Sequence, residues 1–501
     1  MTTEVRALTS LDMSSLPTPW PGAAELADRI AAENKASGRL LVVLDDDPTG
    51  SQSVHGVPIL TRWEMADLAW AFGLDTPMVF ILTNSRSLDP ASVTDLLAEV
   101  LDVVDAAAAA SGRSYAVMVR GDSTLRGHFP LETDIVTRQM AAKGHKVRGV
   151  LLVPAFPESG RVTVRGVHYA SVGDAYLPVG QTDYAQDATF GYRSSRLLDY
   201  VQERSAQRYL PSALLSITVE DLRFGGPARV AELLTSAPQG CVVACDAVSR
   251  EDLDVLAAGQ VAADAAGVLF VVRSGPSYIA ARAGMLPTPP LKPPAPPAGR
   301  HGLVVVGSHV ELTGRQVARL RHVPDMSFIE LDVERALNGD ESGVIADVTR
   351  EAVRRLTTGD VCLMTSRTRI DGPTPQASLR IARAVSTALV ASVAAIRSSV
   401  PLAWVVAKGG ITSHDTAIRG LGIHRAMVAG QLFPGKTSLW TAISDTGKPT
   451  GMSYVVFPGN VGDDSSLAEA VHLLRGGPVT LDNGNIADQH KNAHQRTHTK
   501  E

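Results

Sequence analysis

One pattern constrains this chain more than any other: short, wholly apolar runs that alternate with stretches of helical periodicity. The runs LLVVL (40–44), MVFIL (78–82), YAVMV (115–119), GVLLV (149–153), CVVAC (241–245) and VLFVV (268–272) come first, and LVVV (303–306), VCLM (361–364), AWVVA (403–407) and YVVF (454–457) follow. Strands that read apolar on both faces are buried on both, and strand–helix alternation predicts a mainly parallel sheet flanked by helices. The intervening stretches fit. Pro21 opens a helix whose Ala23, Leu26, Ala27, Ile30 and Ala31 share one face, and Val93 to Ala110 is a second. The fold class read from this pattern is α/β.

At 501 residues the chain exceeds one ordinary core. Composition marks the break: Pro287 to Pro297 reads PTPPLKPPAPP, a stiff, extended connector. The expected division is a loose leader at 1–20, an α/β domain at 21–285, a proline-rich linker at 286–300 and a second α/β domain at 301–478. A disordered tail with His490, His494 and His498 is expected at 479–501.

The net charge of -5 argues against a nucleic-acid partner held by bulk positive charge. Cys241, Cys245 and Cys362 are the only cysteines, and no second Cys or His pair completes a metal site with the first two. They are read as structural thiols in a reducing cytoplasm. The N-terminus lacks the order of a signal peptide. The most apolar helical stretch, Ala384 to Ile396, lies between Arg383 and Arg397 and falls short of the roughly 20 residues a membrane span needs. The expectation is a cytoplasmic protein with no membrane span. A homodimer is left open.

The chemistry gathers where predicted strands end, the place where open parallel sheets bind ligands. Asp45-Asp46-Asp47-Pro48-Thr49-Gly50-Ser51-Gln52 follows the first strand. Adjacent carboxylates repel one another, so stability does not account for them; one can accept a hydroxyl proton and another hold a metal or a hydroxyl. Arg120-Gly121-Asp122-Ser123-Thr124-Leu125-Arg126-Gly127-His128 combines guanidinium groups, suited to carboxylate or phosphate, with hydroxyls and flexible glycines. Pro154 to Arg161 and Thr83-Asn84-Ser85-Arg86 end two more strands. Four such loops after parallel strands converge on one crevice, with Arg86, Arg120, Arg126, Arg161, Asp122 and Ser123 as candidates to hold an anionic substrate.

Glycine-rich junctions mark the second half. Gly307-Ser308-His309, Lys408-Gly409-Gly410-Ile411-Thr412-Ser413 and Phe457-Pro458-Gly459-Asn460 each follow a predicted strand. Such junctions expose backbone N–H groups to phosphates, so Ser308, Gly409 to Ser413, Gly459 and Asn460 are candidate nucleotide residues. Two other pattern matches point elsewhere. Gly430 to Thr437 fits the phosphate-binding G-x-x-x-x-G-K-[ST] pattern, but the TSLWTAIS that follows reads as strand, not helix. Asp45-x-Asp47-x-Thr49 imitates haloacid-dehalogenase phosphatases, with Asp45 as nucleophile, Asp47 as acid/base and Asp463-Asp464 as the last acidic motif. The separation of those motifs across the linker is awkward for one compact domain.

The segments DDDPTGSQ (45–52), TNSRSL (83–88), GDSTLRGH (121–128), PAFPESGR (154–161), VVGSHVELTGRQ (305–316), AKGGITSHDTA (407–417) and VFPGNVGDD (456–464), in this order, resemble the four-carbon acid sugar kinase family. The resemblance implies a sugar-acid-binding N-terminal domain, a nucleotide-binding C-terminal domain, and ATP-dependent phosphorylation of a threonate, erythronate or oxo-tetronate at its terminal hydroxyl. It places Asp46 and the loops at 122–124 and 160–161 on the acid, and Ser308, Gly409 to Ser413 and Gly459 on ATP. Where many members carry Lys, this chain carries Arg120. The mechanism expected is that Arg126 and Arg161 grip the acid's carboxylate and Asp46, with Asp45 and Asp47 as alternatives, accepts the proton. Mg²⁺ arrives on ATP, and the two halves close across the linker. The phosphatase and a non-catalytic nucleotide or sugar-acid sensor are the competing readings.

Overall fold

The computed structural model describes residues 6–367, 370, 372–433 and 436–477; the expected disordered tail, with its three histidines, lies outside them. The expected strands all form, and they join in one fifteen-stranded sheet. Across the sheet the order is Met326–Leu331, Asp360–Thr365, Leu303–Val306, Trp404–Lys408, Pro449–Phe457, Thr437–Ile443, Arg425–Phe433, Val57–Leu60, Met78–Leu82, Leu40–Asp45, Tyr115–Arg120, Leu269–Ser274, Val147–Val153, Cys241–Cys245 and Leu214–Ile217. Each half contributes a parallel block with helices on its faces, as the doubly apolar strands require.

The two blocks are joined by main-chain pairing. Arg425 to Val428 runs antiparallel to Val57 to Leu60, in the register Arg425↔Leu60 and Val428↔Val57. Strand Arg425–Phe433 is also antiparallel to Thr437–Ile443, which is antiparallel to Pro449–Phe457. Three reversals make the parallel strands of the second half run opposite to those of the first. The chain from Asp45 to Val57 must return to the other end of the sheet to start a parallel strand, so it crosses the sheet face. Its turn, Pro48–Ser53, packs against the helix Gly410–Asp415. There Ser51 Oγ meets Ser438 Oγ at 2.9 Å, and Trp440 Nε1 donates to Ser51 Oγ at 3.1 Å. The halves are thus already latched together, and closing by rigid rotation about the linker would break this seam. Within the linker, Leu291 N–H donates to Gln431 O at 2.7 Å.

Two further expectations are corrected. The described part of the leader is docked: Leu8 pairs with Tyr176 of a small antiparallel sheet (Arg161–Val164, Val167–Val172, Ala175–Pro178). Leu8, Met13 and Leu16 pack on that sheet's Val162, Val164 and Tyr169, because these apolar side chains need cover. The apolar stretch in the second half also extends further than its arginines suggest. Helix Pro375–Ser399 runs through Arg383 and Arg397, and Arg380 to Ser399 is long and apolar enough to cross a membrane by length and composition. Ala388, Leu389, Val393 and Ile396 of this helix are buried in the core of this half.

Candidate active site

The loops of the first half converge as parallel strand ends should. Asp45 closes strand Leu40–Asp45, beside Arg120 at the end of strand Tyr115–Arg120 and one strand further from Arg273. Arg120 Nη1 donates to Asp45 Oδ1 and to Asp46 Oδ1, both at 3.3 Å. Arg86 grips Asp46 with two bonds, Nη2 to Oδ1 at 2.6 Å and Nε to Oδ2 at 3.1 Å, and gives Nη1 to Asp47 Oδ2 at 3.1 Å. Behind them Arg273 pairs with Glu132 at 3.3 Å, and Ser85 Oγ donates to Glu132 Oε1 at 2.6 Å.

Glycines make this packing feasible. A Cβ on Gly50 would lie 2.1 Å from Asp45 Oδ2, one on Gly121 1.8 Å from the Arg273 guanidinium carbon, and one on Gly127 3.2 Å from Asp46 Oδ2. Asp45 and Asp46 are roofed, at 0% and 1% exposure, whereas the Asp47 side chain is 24% exposed. Asp46, the preferred candidate for proton acceptor, is thus sealed and doubly gripped by Arg86, and Asp47 is the member of the triad that reaches solvent. Arg120, expected to hold substrate, is likewise packed into the floor, with both its acidic partners buried. Burial pushes Asp45 up to about 7 despite Arg120 beside it. For Asp47 burial acts in the same direction, but Arg86 and Arg120 outweigh it and hold the carboxyl below its ordinary value.

The wall of the crevice is basic. Arg126 Nε donates to Asp122 Oδ2 at 2.6 Å, and Thr124 Oγ1 donates to the same carboxylate. Burial would raise Asp122, but Arg86 and Arg126 hold it well below the usual range. Arg126 and Arg161 both lie over the Tyr184 ring, 5.4 Å and 5.7 Å from its centre, and Arg161 Nη2 donates to Tyr184 Oη at 3.1 Å. Arg161 Nε is buried with no hydrogen-bond partner among the described residues. Three residues missed in the sequence fix the Ser123 to Leu125 carbonyls: His168 Nε2 meets Ser123 O at 2.7 Å, Tyr192 Oη donates to Thr124 O at 2.6 Å and Tyr200 Oη to Leu125 O at 2.8 Å. Burial pushes His168 down to about 4, so it is neutral. Nothing in the sequence pattern signals Tyr184 or His168. Arg273 and Ser274, following VLFVV, obey the same strand-end rule as the other loops.

In the second half the three glycine junctions meet at Ser308. A Cβ on Gly459 would lie 2.8 Å from Ser308 Oγ, one on Gly409 3.3 Å from Ser308 Cβ, and one on Gly307 2.3 Å from Thr412 Oγ1. Gly409 has φ +119°, open to glycine and strained for other residues. Thr313 Oγ1 donates to Gly459 O at 3.0 Å and lies 3.1 Å from Ser308 Oγ. Arg367, also missed, gives Nη1 to Ser308 O at 2.9 Å. Ser413 turns inward: its hydroxyl donates to Ala407 O at 2.7 Å, which removes that hydroxyl from the candidate nucleotide contacts. Ile411 and Asn460 are exposed, and Gly410 faces open space. Beside Gly307 and Thr412 lies a cavity of about 250 Å³ walled by Val333, Ile370, Ile381, Val385, Leu389 and Ile411, of a size and apolarity suited to a flat base.

The competing motifs fall apart in space. Gly430 lies in one strand and Thr437 opens the next, so the phosphate-binding match sits on a hairpin with no helix behind it. Asp45 is sealed beneath Gly50 and is out of reach as a phosphatase nucleophile. Asp463 accepts from Ser465 and Ser466 at the start of its own helix, and Asp464 pairs with Arg315 at 2.9 Å.

Comparison with known proteins agrees with this division of labour. Residues 41–282 match the model of a sugar-binding N-terminal domain, and 303–467 that of a nucleotide-binding C-terminal domain. The chain belongs to the family that joins these two domains, the architecture of the four-carbon acid sugar kinases. Among solved structures, a Salmonella typhimurium LT2 protein superposes with TM-score 0.63 at 17% identity, over 86% of this chain and 98% of the other. A Haemophilus influenzae protein of family DUF1537 gives 0.60 at 18%, over 86% and 99%. A DUF1537 protein from Bordetella bronchiseptica, a domain-swapped dimer with bound citrate, is 20% identical over 88% of this chain and 100% of its own, with TM-score 0.36. No curated protein matches by sequence.

Proposed function

We propose that this protein is a cytoplasmic kinase that moves a phosphoryl group from ATP to the terminal hydroxyl of a four-carbon acid sugar of the threonate, erythronate or oxo-tetronate type. One observation carries the reading: the acidic loop of the sugar-binding half packs, through Pro48–Ser53, directly on the helix that starts at the Gly409 junction of the nucleotide-binding half. Phosphoryl transfer needs alignment and charge neutralisation more than covalent help. Arg126 and Arg161, braced on Tyr184, would take the acid's carboxylate, with Arg86 over the acidic loop as a third cation. Asp47 would orient the acceptor hydroxyl and take its proton. Ser308, Gly409, Gly410 and Gly459 would line the phosphates. Mg²⁺ carried by the nucleotide would neutralise phosphate charge, and Asp47, the part-exposed member of the triad, is the carboxylate that could help hold it. Free, buried Cys241, Cys245 and Cys362 support a reducing compartment.

The test is ADP release from Mg-ATP against a panel of tetronates, threonates, erythronates and oxo-tetronates. Acid-dependent release that falls in Asp47→Asn is the expected result. ATP left intact with every acid overturns the reading; nucleotide binding without turnover then favours a sensor.

A further inference from the structure

We propose that Lys408 is a built-in counter-charge for the nucleotide's phosphates, a lysine that takes up a proton when nucleotide binds. Lys408 ends strand Trp404–Lys408 and is completely buried. Its Nζ donates to Pro458 O at 2.7 Å and lies 4.1 Å from the centre of the Phe457 ring. The buried arginine side chains described all meet a carboxylate: Arg120 meets Asp45, Arg223 Asp252, Arg273 Glu132, Arg282 Asp264 and Arg425 Asp67. Among the described residues Lys408 meets none. A buried ammonium with no counter-ion is costly, so a fold that places one there leaves its charge to be completed from outside or not carried at all.

The position says what completes it. Lys408 immediately precedes Gly409, and its one acceptor, the Pro458 carbonyl, immediately precedes Gly459. Both glycines close on Ser308. The amine therefore lies beneath the meeting point of the three junctions, where the anion of a nucleotide belongs. Surrounding charges are spent elsewhere. Glu311 pairs with Arg315 on the surface, Arg315 also with Asp464, Asp463 caps Ser465, Glu469 accepts from Ser465, Asp415 accepts from Ser386, and Arg367 holds Ser308 O. His414, in the helix Gly410–Asp415 that follows, is lowered by burial. Burial alone pushes Lys408 down to about 7, so near pH 8 the empty site holds mostly the neutral amine. Phosphate charge arriving across a water-poor interior favours the ammonium, and the proton comes from solvent.

This rests on the nucleotide-binding reading of the second half but not on which acid is phosphorylated. The experiment is isothermal titration of the full chain with Mg-ADP at pH 8 in two buffers of different ionisation enthalpy, which counts protons taken up. Wild type is expected to take up about one proton per nucleotide, with affinity falling up to about tenfold per pH unit above pH 8. Lys408→Met is expected to bind with almost no uptake, and His414→Asn to keep it. Binding by wild type without uptake, uptake that persists in Lys408→Met, or uptake lost in His414→Asn each overturns the proposal. If Lys408→Met does not fold, wild type and His414→Asn still decide. Failure to bind Mg-ADP at all overturns this proposal and the kinase reading together. Proton-coupled binding with no turnover of any acid supports it and sinks the kinase reading alone.

Discussion

Three adjacent aspartates sit in two different settings. Asp45 and Asp46 are held in the floor by Arg86 and Arg120, and Asp47, held by Arg86 and Thr49, keeps a part-exposed carboxylate. Asp47→Asn should therefore lower kcat by about 10²- to 10⁴-fold, the usual worth of a positioned base, with the fold intact by circular dichroism. Arg120→Met should act differently. It strips a guanidinium from two buried carboxylates and is expected to cost about 3–5 kcal/mol in urea denaturation. Lys408 gives a stability signature of its own. Its folded-state pKa is lowered, so between about 7 and its ordinary value the unfolded chain binds the extra proton. Stability of the nucleotide-free protein should then rise with pH across that window, by on the order of a kcal/mol per unit, and this slope should be missing from Lys408→Met.

At the level of loops and strands, glycine decides which side chains can approach. Gly121→Ala would push into the Arg273 guanidinium and break its pair with Glu132, so a loss of several degrees in Tm is expected, measurable by thermal denaturation without any ligand. These elements also separate what sequence can reveal from what it cannot. Strands buried on both faces announce themselves as apolar runs, and the loops after them were legible as polar strand ends. The strands of the large sheet left unread are of two kinds. Leu214–Ile217 and Met326–Leu331 are the sheet's outermost strands, only partly buried and without a solid apolar run. Val57–Leu60 contains Pro58, and Arg425–Phe433 contains Gly430; each looks like a poor strand alone and is held between a strand of its own half and one of the other. Of the site, Arg86 and Arg126 were readable because they follow strands. Which of the three aspartates stays exposed was not, because the burial of Asp45 under Gly50 and of Asp46 beside Gly127 depends on three-dimensional packing. Tyr184 and His168 come from an excursion with no periodicity to place it.

For the molecule as a whole, the seam sets how far the halves can move. Closure by rotation about the linker would cost the Arg425–Val428 ladder and the Ser51–Ser438–Trp440 latch. Small-angle scattering profiles with and without Mg-ATP and an accepted acid should therefore nearly superpose; a marked compaction would show that the seam opens. Motion, if the reaction needs it, belongs to side chains and short loops, with Arg86 leaving Asp47 for the acid's carboxylate as the smallest adequate change.

The seam also makes the covalent link between the halves almost redundant. A chain severed within 286–300 would lose a tether but keep a strand edge on each piece that fits only the other. Two separately translated fragments would then behave as the two halves of a fastener: individually prone to stick to whatever edge they meet, jointly restored to one sheet. Such a protein tolerates interruption at its most obvious boundary, and it ought to be as easy to reassemble from parts as it is hard to pull apart by bending.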